Sequence, residues 1–124
     1  MEKQSWVSIW LGNMNGEDSI EEYVNVTYDE NGESVPSKFY NDFNIDMDEM
    51  DEDKIEKAVY KSRSSNMVTL LTGCSYEEII VPQMKGERNF KKSYNAVILL
   101  YDFDYNELIT SMGAFEFITS IRYE

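Results

Sequence analysis

Apolar and polar positions alternate from Ser5 to Leu11, with Val7, Ile9 and Leu11 on one side and Trp6, Ser8 and Trp10 on the other. Period two marks a strand, and two indoles on the second side predict cover on both faces. Gly12-Asn13 ends the strand and Asn15-Gly16 continues the loop. Ile20, Tyr23 and Val24 then fall at helical spacing. They predict a short helix over Asp18–Val26, opened by a Ser19/Glu22 capping box or by Asp18. Tyr28 to Glu33 reads as a turn centred on Asn31-Gly32. Ser34–Ser37 leads into a second helix, with Phe39, Tyr40 and Phe43 as its apolar stripe.

The second half is read the same way. Ile55–Lys61 fits a strand or a helix end, and the strand is preferred; Ser62–Asn66 is a polar connector. Asn66 caps a helix carrying Met67, Leu70 and Leu71, closed by Gly73. Ser75 caps the next stretch, where Glu77 and Glu78 suit the positive end of a helix dipole and Pro82 limits its length. Tyr94–Phe103 contains the continuous apolar run Val97-Ile98-Leu99-Leu100, as a central strand requires. Phe115, Phe117, Thr119 and Ile121 alternate in a terminal strand, expected antiparallel to Tyr94–Phe103. The pattern predicts one α+β domain over residues 1–124: a small, mostly antiparallel sheet with helices packed on it. Trp6, Trp10, Phe39, Phe43, Phe103, Phe115 and Phe117 are its candidate aromatic core.

Composition adds one strong feature. The 124 residues carry 24 acids and 11 bases with no histidine, a net charge of −13. That balance repels phosphate backbones and anionic membranes, which argues against a direct nucleic-acid or membrane partner, and it favours cationic partners. It would also serve solubility alone. The acids concentrate in Asp42–Lys57, where Asp42, Asp46, Asp48, Glu49, Asp51, Glu52, Asp53 and Glu56 face only Lys54 and Lys57. Bases gather in Lys85–Lys92. The opening Met-Glu-Lys-Gln lacks the basic and apolar regions of a secretory signal, and the longest apolar run, Ala96–Tyr101, is too short to span a membrane. A cytoplasmic location is expected.

Catalytic chemistry finds little support. Without histidine, Ser-His and Cys-His pairs are excluded, and one cysteine, Cys74, cannot build a zinc site or an internal disulfide. Cys74 reads as a buried, inert thiol. Asp102, Asp104 and Asn106 begin like a calcium loop, but Glu107 and Gly113 fall where glycine and a bidentate carboxylate are needed. No phosphate-binding glycine loop occurs. No catalytic, metal-binding or cofactor-binding residue is assigned. The candidate partner-binding residues are Asp46, Asp48, Glu49, Asp51, Glu52, Asp53 and Glu56, with Tyr40 and Tyr60 as aromatic anchors at polar segments; Tyr76 and Tyr105 are further tyrosines of that kind.

Three stretches resemble the immunity protein 22 family of bacterial polymorphic toxin systems. They are Trp6-Val7-Ser8-Ile9-Trp10-Leu11-Gly12-Asn13, the run from Tyr23 to Phe43, and Tyr94-Asn95-Ala96-Val97-Ile98-Leu99-Leu100-Tyr101 with the end from Phe117-Ile118 to Tyr123. They follow in colinear order over nearly the whole chain. The resemblance implies a protein encoded beside a toxin that protects by binding the toxin domain, with no catalytic set to carry over. Placing the acidic segment at that interface is an electrostatic inference: a nuclease, for instance, has a cationic cleft that an acidic face could cover. Two rivals stand beside it. A small carboxylate-using enzyme or ligand-binding protein would show a pocket with converging carboxylates of shifted pKa. An acidic nucleic-acid mimic acting on an unrelated protein would show a flat acidic face.

Overall fold

The computed structural model describes residues 6–25, 27–35, 37–45, 54–74, 76–83, 89–105 and 109–123. Its centre is β1 (Trp6–Gly12), flanked on both edges and covered on both faces. β5 (Asn89–Tyr101) pairs antiparallel with one edge, Ile9 opposite Leu99 and Trp10 opposite Ile98. β7 (Phe115–Arg122) pairs antiparallel with the other. β4 (Ile55–Asn66) and β6 (Ser111–Met112) complete the sheet in the order β4-β5-β1-β7-β6. The terminal strand therefore does not pair with the 94–103 strand, contrary to expectation. The N-terminal strand lies between them, so β5 and β7 run in the same direction.

Helices cover both sides. α1 (Glu17–Val24) and α2 (Lys38–Asp42) supply Ile20, Tyr23, Phe39, Tyr40 and Phe43 to a core with Trp10, Ile98, Leu100 and Phe115. α3 (Met67–Leu71) and α4 (Glu77–Gln83) supply Leu70, Leu71 and Ile80 to a second core with Ile9, Leu11, Val97 and Leu99. The strict alternation of β1 and β5 is what splits their side chains between the two cores. β2 (Thr27–Tyr28) and β3 (Ser34–Val35) form a separate hairpin.

Local chemistry explains several boundaries. α1 starts at Glu17, earlier than expected, so Ser19 and Asp18 lie inside it; no side chain caps it, and Glu17 and Asp18 sit in the first turn where the dipole favours anions. The Ser37 hydroxyl caps α2 by accepting the Tyr40 amide at 3.3 Å. Asn66 caps α3 as expected, its Oδ1 accepting the Thr69 amide at 3.1 Å, and Gly73 follows with φ of 97°. Ser62–Asn66 is strand rather than connector, because an edge strand needs backbone partners on one side only and β5 extends back to Asn89 to provide them. In β7 the pairing skips Ile118: Trp10 faces Phe117 while Ile9 faces Thr119. This bulge turns Thr119 and Ile121 to the side opposite Phe115 and Phe117 and breaks the simple alternation.

Candidate partner-binding surface

β4 carries the best-defined site. Its alternation places Glu56, Ala58 and Tyr60 on the α3/α4 side, since Glu56 pairs with Leu99 and Ala58 with Val97. The Tyr60 hydroxyl donates to the Leu70 carbonyl at 2.8 Å, which ties β4 to α3. The Tyr101 hydroxyl donates to Glu56 Oε1 at 2.5 Å. Between them lies a pocket of about 210 Å³ lined by Glu56, Ala58, Tyr60, Cys74, Val97 and Leu99, among others. Burial, and then the Glu56 charge, push the Cys74 thiol up to about 11. Burial likewise raises Tyr60, with the charges of Cys74 and Glu56 adding to it. Tyr101 rises through burial and its hydrogen bond to Glu56. The pocket thus gathers the Glu56 carboxyl, the Tyr60 hydroxyl, the Cys74 thiol and Lys57 over an apolar floor. A thiol whose pKa is raised is a poor nucleophile.

Beside the pocket, three tyrosines pack together. Tyr76 lies 5.5 Å from Tyr101 and 4.6 Å from Tyr123, centroid to centroid, and Tyr101 and Tyr123 are 5.1 Å apart. Tyr123 donates to Asp102 Oδ1 at 2.5 Å, and Asp102 pairs with Lys54 at 3.4 Å. Tyr76 is 38% exposed, with Ile79 exposed one turn along α4.

A second surface lies on the other side of the sheet. The outer face of α1 exposes Glu17, Asp18, Glu21 and Glu22, while Ile20, Tyr23 and Val24 are buried. Asp18, Glu21, Glu22, Asn25 and Thr27 line an open recess of about 440 Å³. The adjoining β2–β3 hairpin adds exposed Asp29, Glu30 and Glu33. Its tip is organised by Asp29, whose Oδ1 accepts the amides of Asn31 and Glu33 at 2.9 and 3.0 Å. Tyr28 is 64% exposed on this hairpin.

Of the residues picked from the sequence, the structure brings Glu56 and Tyr60 into one pocket. Asp46, Asp48, Glu49, Asp51, Glu52 and Asp53 lie outside the described residues. Tyr40 is a correction: it is 1% exposed and packs against Phe39 in the aromatic core, as a residue on the inner face of a two-turn-or-shorter helix must if that helix is to be anchored at all. Tyr105 is likewise buried, its hydroxyl 2.8 Å from the Phe43 carbonyl and 2.7 Å from that of Ile109. The α1 and hairpin acids were missed, although the signal was present. Seven acids fall between Glu17 and Glu33, and no base lies between Lys3 and Lys38.

Among the described residues, no helix is long and apolar enough to cross a membrane, and no group of three or more potential metal ligands occurs. A family model described as Immunity protein 22 matches residues 7–124, nearly the whole chain. No curated protein and no solved structure matches it.

Proposed function

The chain belongs to the Immunity protein 22 family, and from that premise we propose that it neutralises a cognate toxin domain by covering a cationic substrate-binding surface with an acidic face. Membership supports an immunity function in general and implies a toxin partner. The observation that carries the finer reading is the charge: −13 overall, with the acids grouped rather than dispersed. Two groups contribute. One is the α1 face and hairpin tip, Glu17, Asp18, Glu21, Glu22, Asp29, Glu30 and Glu33. The other is the segment with Asp46, Asp48, Glu49, Asp51, Glu52, Asp53 and Glu56. The elements that flank it in sequence, α2 and β4, both pack against α1.

Clustered like charge accelerates encounter with an oppositely charged partner, and exposed aromatic rings such as Tyr28 slow dissociation once the contact is dry. The nuclease case fits this best, because such a toxin presents cations to phosphates. The test neutralises two sets separately: Glu17, Asp18, Glu21 and Glu22 in one variant, Asp48, Glu49, Asp51, Glu52 and Asp53 in another. At least one set is expected to slow association with the toxin domain by about tenfold or more at low salt and to flatten its salt dependence. Unchanged rates and unchanged salt dependence in both would remove the acidic face from the mechanism.

A further inference from the structure

We infer that the β2–β3 hairpin enters the toxin's substrate cleft as a two-faced plug, with the Tyr28 ring as its buried anchor. This deepens the proposed function and rests on it. The acidic face accounts for attraction and cover; the hairpin would fill the cleft itself.

The first ground is isolation. Among the described residues β2 and β3 pair only with each other, Thr27 opposite Val35 and Tyr28 opposite Ser34. Neither core includes a residue of this hairpin. A lone two-stranded hairpin is marginal in water and gains stability when something packs on it. The second ground is exposure on both sides. Opposite residues share a face and successive residues alternate, so Tyr28 and Val35 lie on opposite faces of the ribbon. Tyr28 is 64% exposed and Val35 40%. A flat partner would cover one face and leave the other apolar group in water. A cleft has two walls and covers both.

The third ground is preorganisation. Besides the two amides on its Oδ1, the Asp29 carbonyl accepts the Gly32 amide at 3.0 Å, and the Asp29 amide donates to the Glu33 carbonyl at 3.0 Å. The tip holds its shape without the core, so a partner would meet it already formed, at little ordering cost. The fourth is charge. Residues 27–35 hold Asp29, Glu30 and Glu33 and no base. Among the described residues neither Glu30 nor Glu33 forms an ion pair. An aromatic ring among such carboxylates suits a cationic cleft: an anionic membrane repels it, and a second copy of this chain brings its own −13. Inside the cleft the ring loses its water while the carboxylates meet cations around it, the arrangement of an interface hot spot.

The experiment measures association and dissociation of the purified cognate toxin domain with the full chain and three variants. It also follows amide exchange over residues 27–35 with and without that domain. Tyr28→Ala should dissociate about tenfold faster or more. Its urea midpoint should not move, because the ring belongs to neither core. Tyr28→Phe keeps the ring and should dissociate nearly as slowly as the unaltered chain. Glu30→Gln with Glu33→Gln should slow association at low salt more than it speeds dissociation. Amides over 27–35 should exchange more slowly in the complex. Tyr28→Ala binding like the unaltered chain, or no added protection over 27–35, overturns the plug. If the α1 or Asp48–Asp53 variants still slow association, the acidic-face reading survives that loss. Tyr28→Phe dissociating as fast as Tyr28→Ala, or a urea midpoint that falls with Tyr28→Ala, also overturns the plug. An unchanged association rate for the glutamine pair overturns the cationic cleft as its occupant. If the unaltered chain does not bind, the plug and the acidic-face reading fall together.

Discussion

Ser8 is a hydroxyl at the centre of the sheet, 0% exposed, and its removal should be costly. A serine hydroxyl has one proton and two acceptor sites. The proton goes to the Phe103 carbonyl at 2.8 Å. One acceptor site takes the Tyr105 amide at 2.9 Å. The remaining site takes the Ser120 hydroxyl at 2.7 Å, and because Ser8 has already given its proton, Ser120 must be that donor. The hydroxyl therefore binds the segment after β5 to β1 and β7 at once. Ser8→Ala would orphan a buried amide and deprive a buried carbonyl, a cost of about 2–4 kcal/mol by the usual desolvation penalties. At roughly 4 °C per kcal/mol for a domain of this size, the Tm should fall by roughly 8–16 °C. Ser120→Ala leaves Ser8 two of its three partners and should cost about 1 kcal/mol or less. The double variant should match Ser8→Ala alone within error. Urea denaturation of the three variants measures this. A Ser8→Ala loss under about 0.5 kcal/mol, the range of ordinary surface substitutions, would refute the hydrogen-bond reasoning.

Gly12 tests packing rather than hydrogen bonding. A Cβ there would sit 2.3 Å from the Ala114 carbonyl oxygen and 2.6 Å from Phe115 Cδ1, so Gly12→Ala should destabilise by about 3 kcal/mol or more in the same urea assay. The Cys74 thiol, pushed from 9.0 to about 11, should be about a hundredfold poorer in thiolate at pH 8 than a thiol of ordinary pKa. Alkylation by iodoacetamide should be slower by a similar factor in the folded chain and normal in urea. Alkaline stability follows from the same shift. A pKa raised on folding contributes stability that is complete below the ordinary value and lost as pH rises through the folded one. Cys74 therefore loses its contribution between about pH 9 and 11, while Tyr23, Tyr60, Tyr94 and Tyr101 lose theirs above about 10. The urea midpoint should fall steadily above pH 9, and Cys74→Ala should flatten the first part of that fall.

Much of the fold was legible because period and capping are local. The alternation of Val7, Ile9 and Leu11 against Trp10, the apolar run of β5, the Asn66 cap and the stop at Gly73 all depend on neighbours in the chain. What was hidden is non-local. Nothing in β7 announces that β1 rather than β5 will be its partner, and the Ile118 bulge exists only once a partner strand is in place. The Ser62–Asn66 strand is invisible for the same reason: its polar side chains lack a strand pattern, and backbone pairing with β5 holds it.

The candidate site divides in the same way. Glu56 and Tyr60 are two apolar-polar steps of one strand, so their common face could be read from alternation. The thiol of Cys74 and the hydroxyl of Tyr101 reach them only through tertiary packing. Tyr40 misled because it adjoins polar residues in sequence while its helix turns it inward. Tyr28 and the α1 acids escaped because the denser Asp42–Lys57 segment drew the whole electrostatic argument, although charge count alone marked residues 17–33 as free of bases.

The most direct test of the central claim is co-expression in a bacterial host of this chain with its cognate toxin domain, scored for growth. The account predicts that growth is restored and that the two chains purify together as a complex that weakens with rising salt. Continued growth arrest with no complex, at expression levels where both chains are soluble, would contradict it.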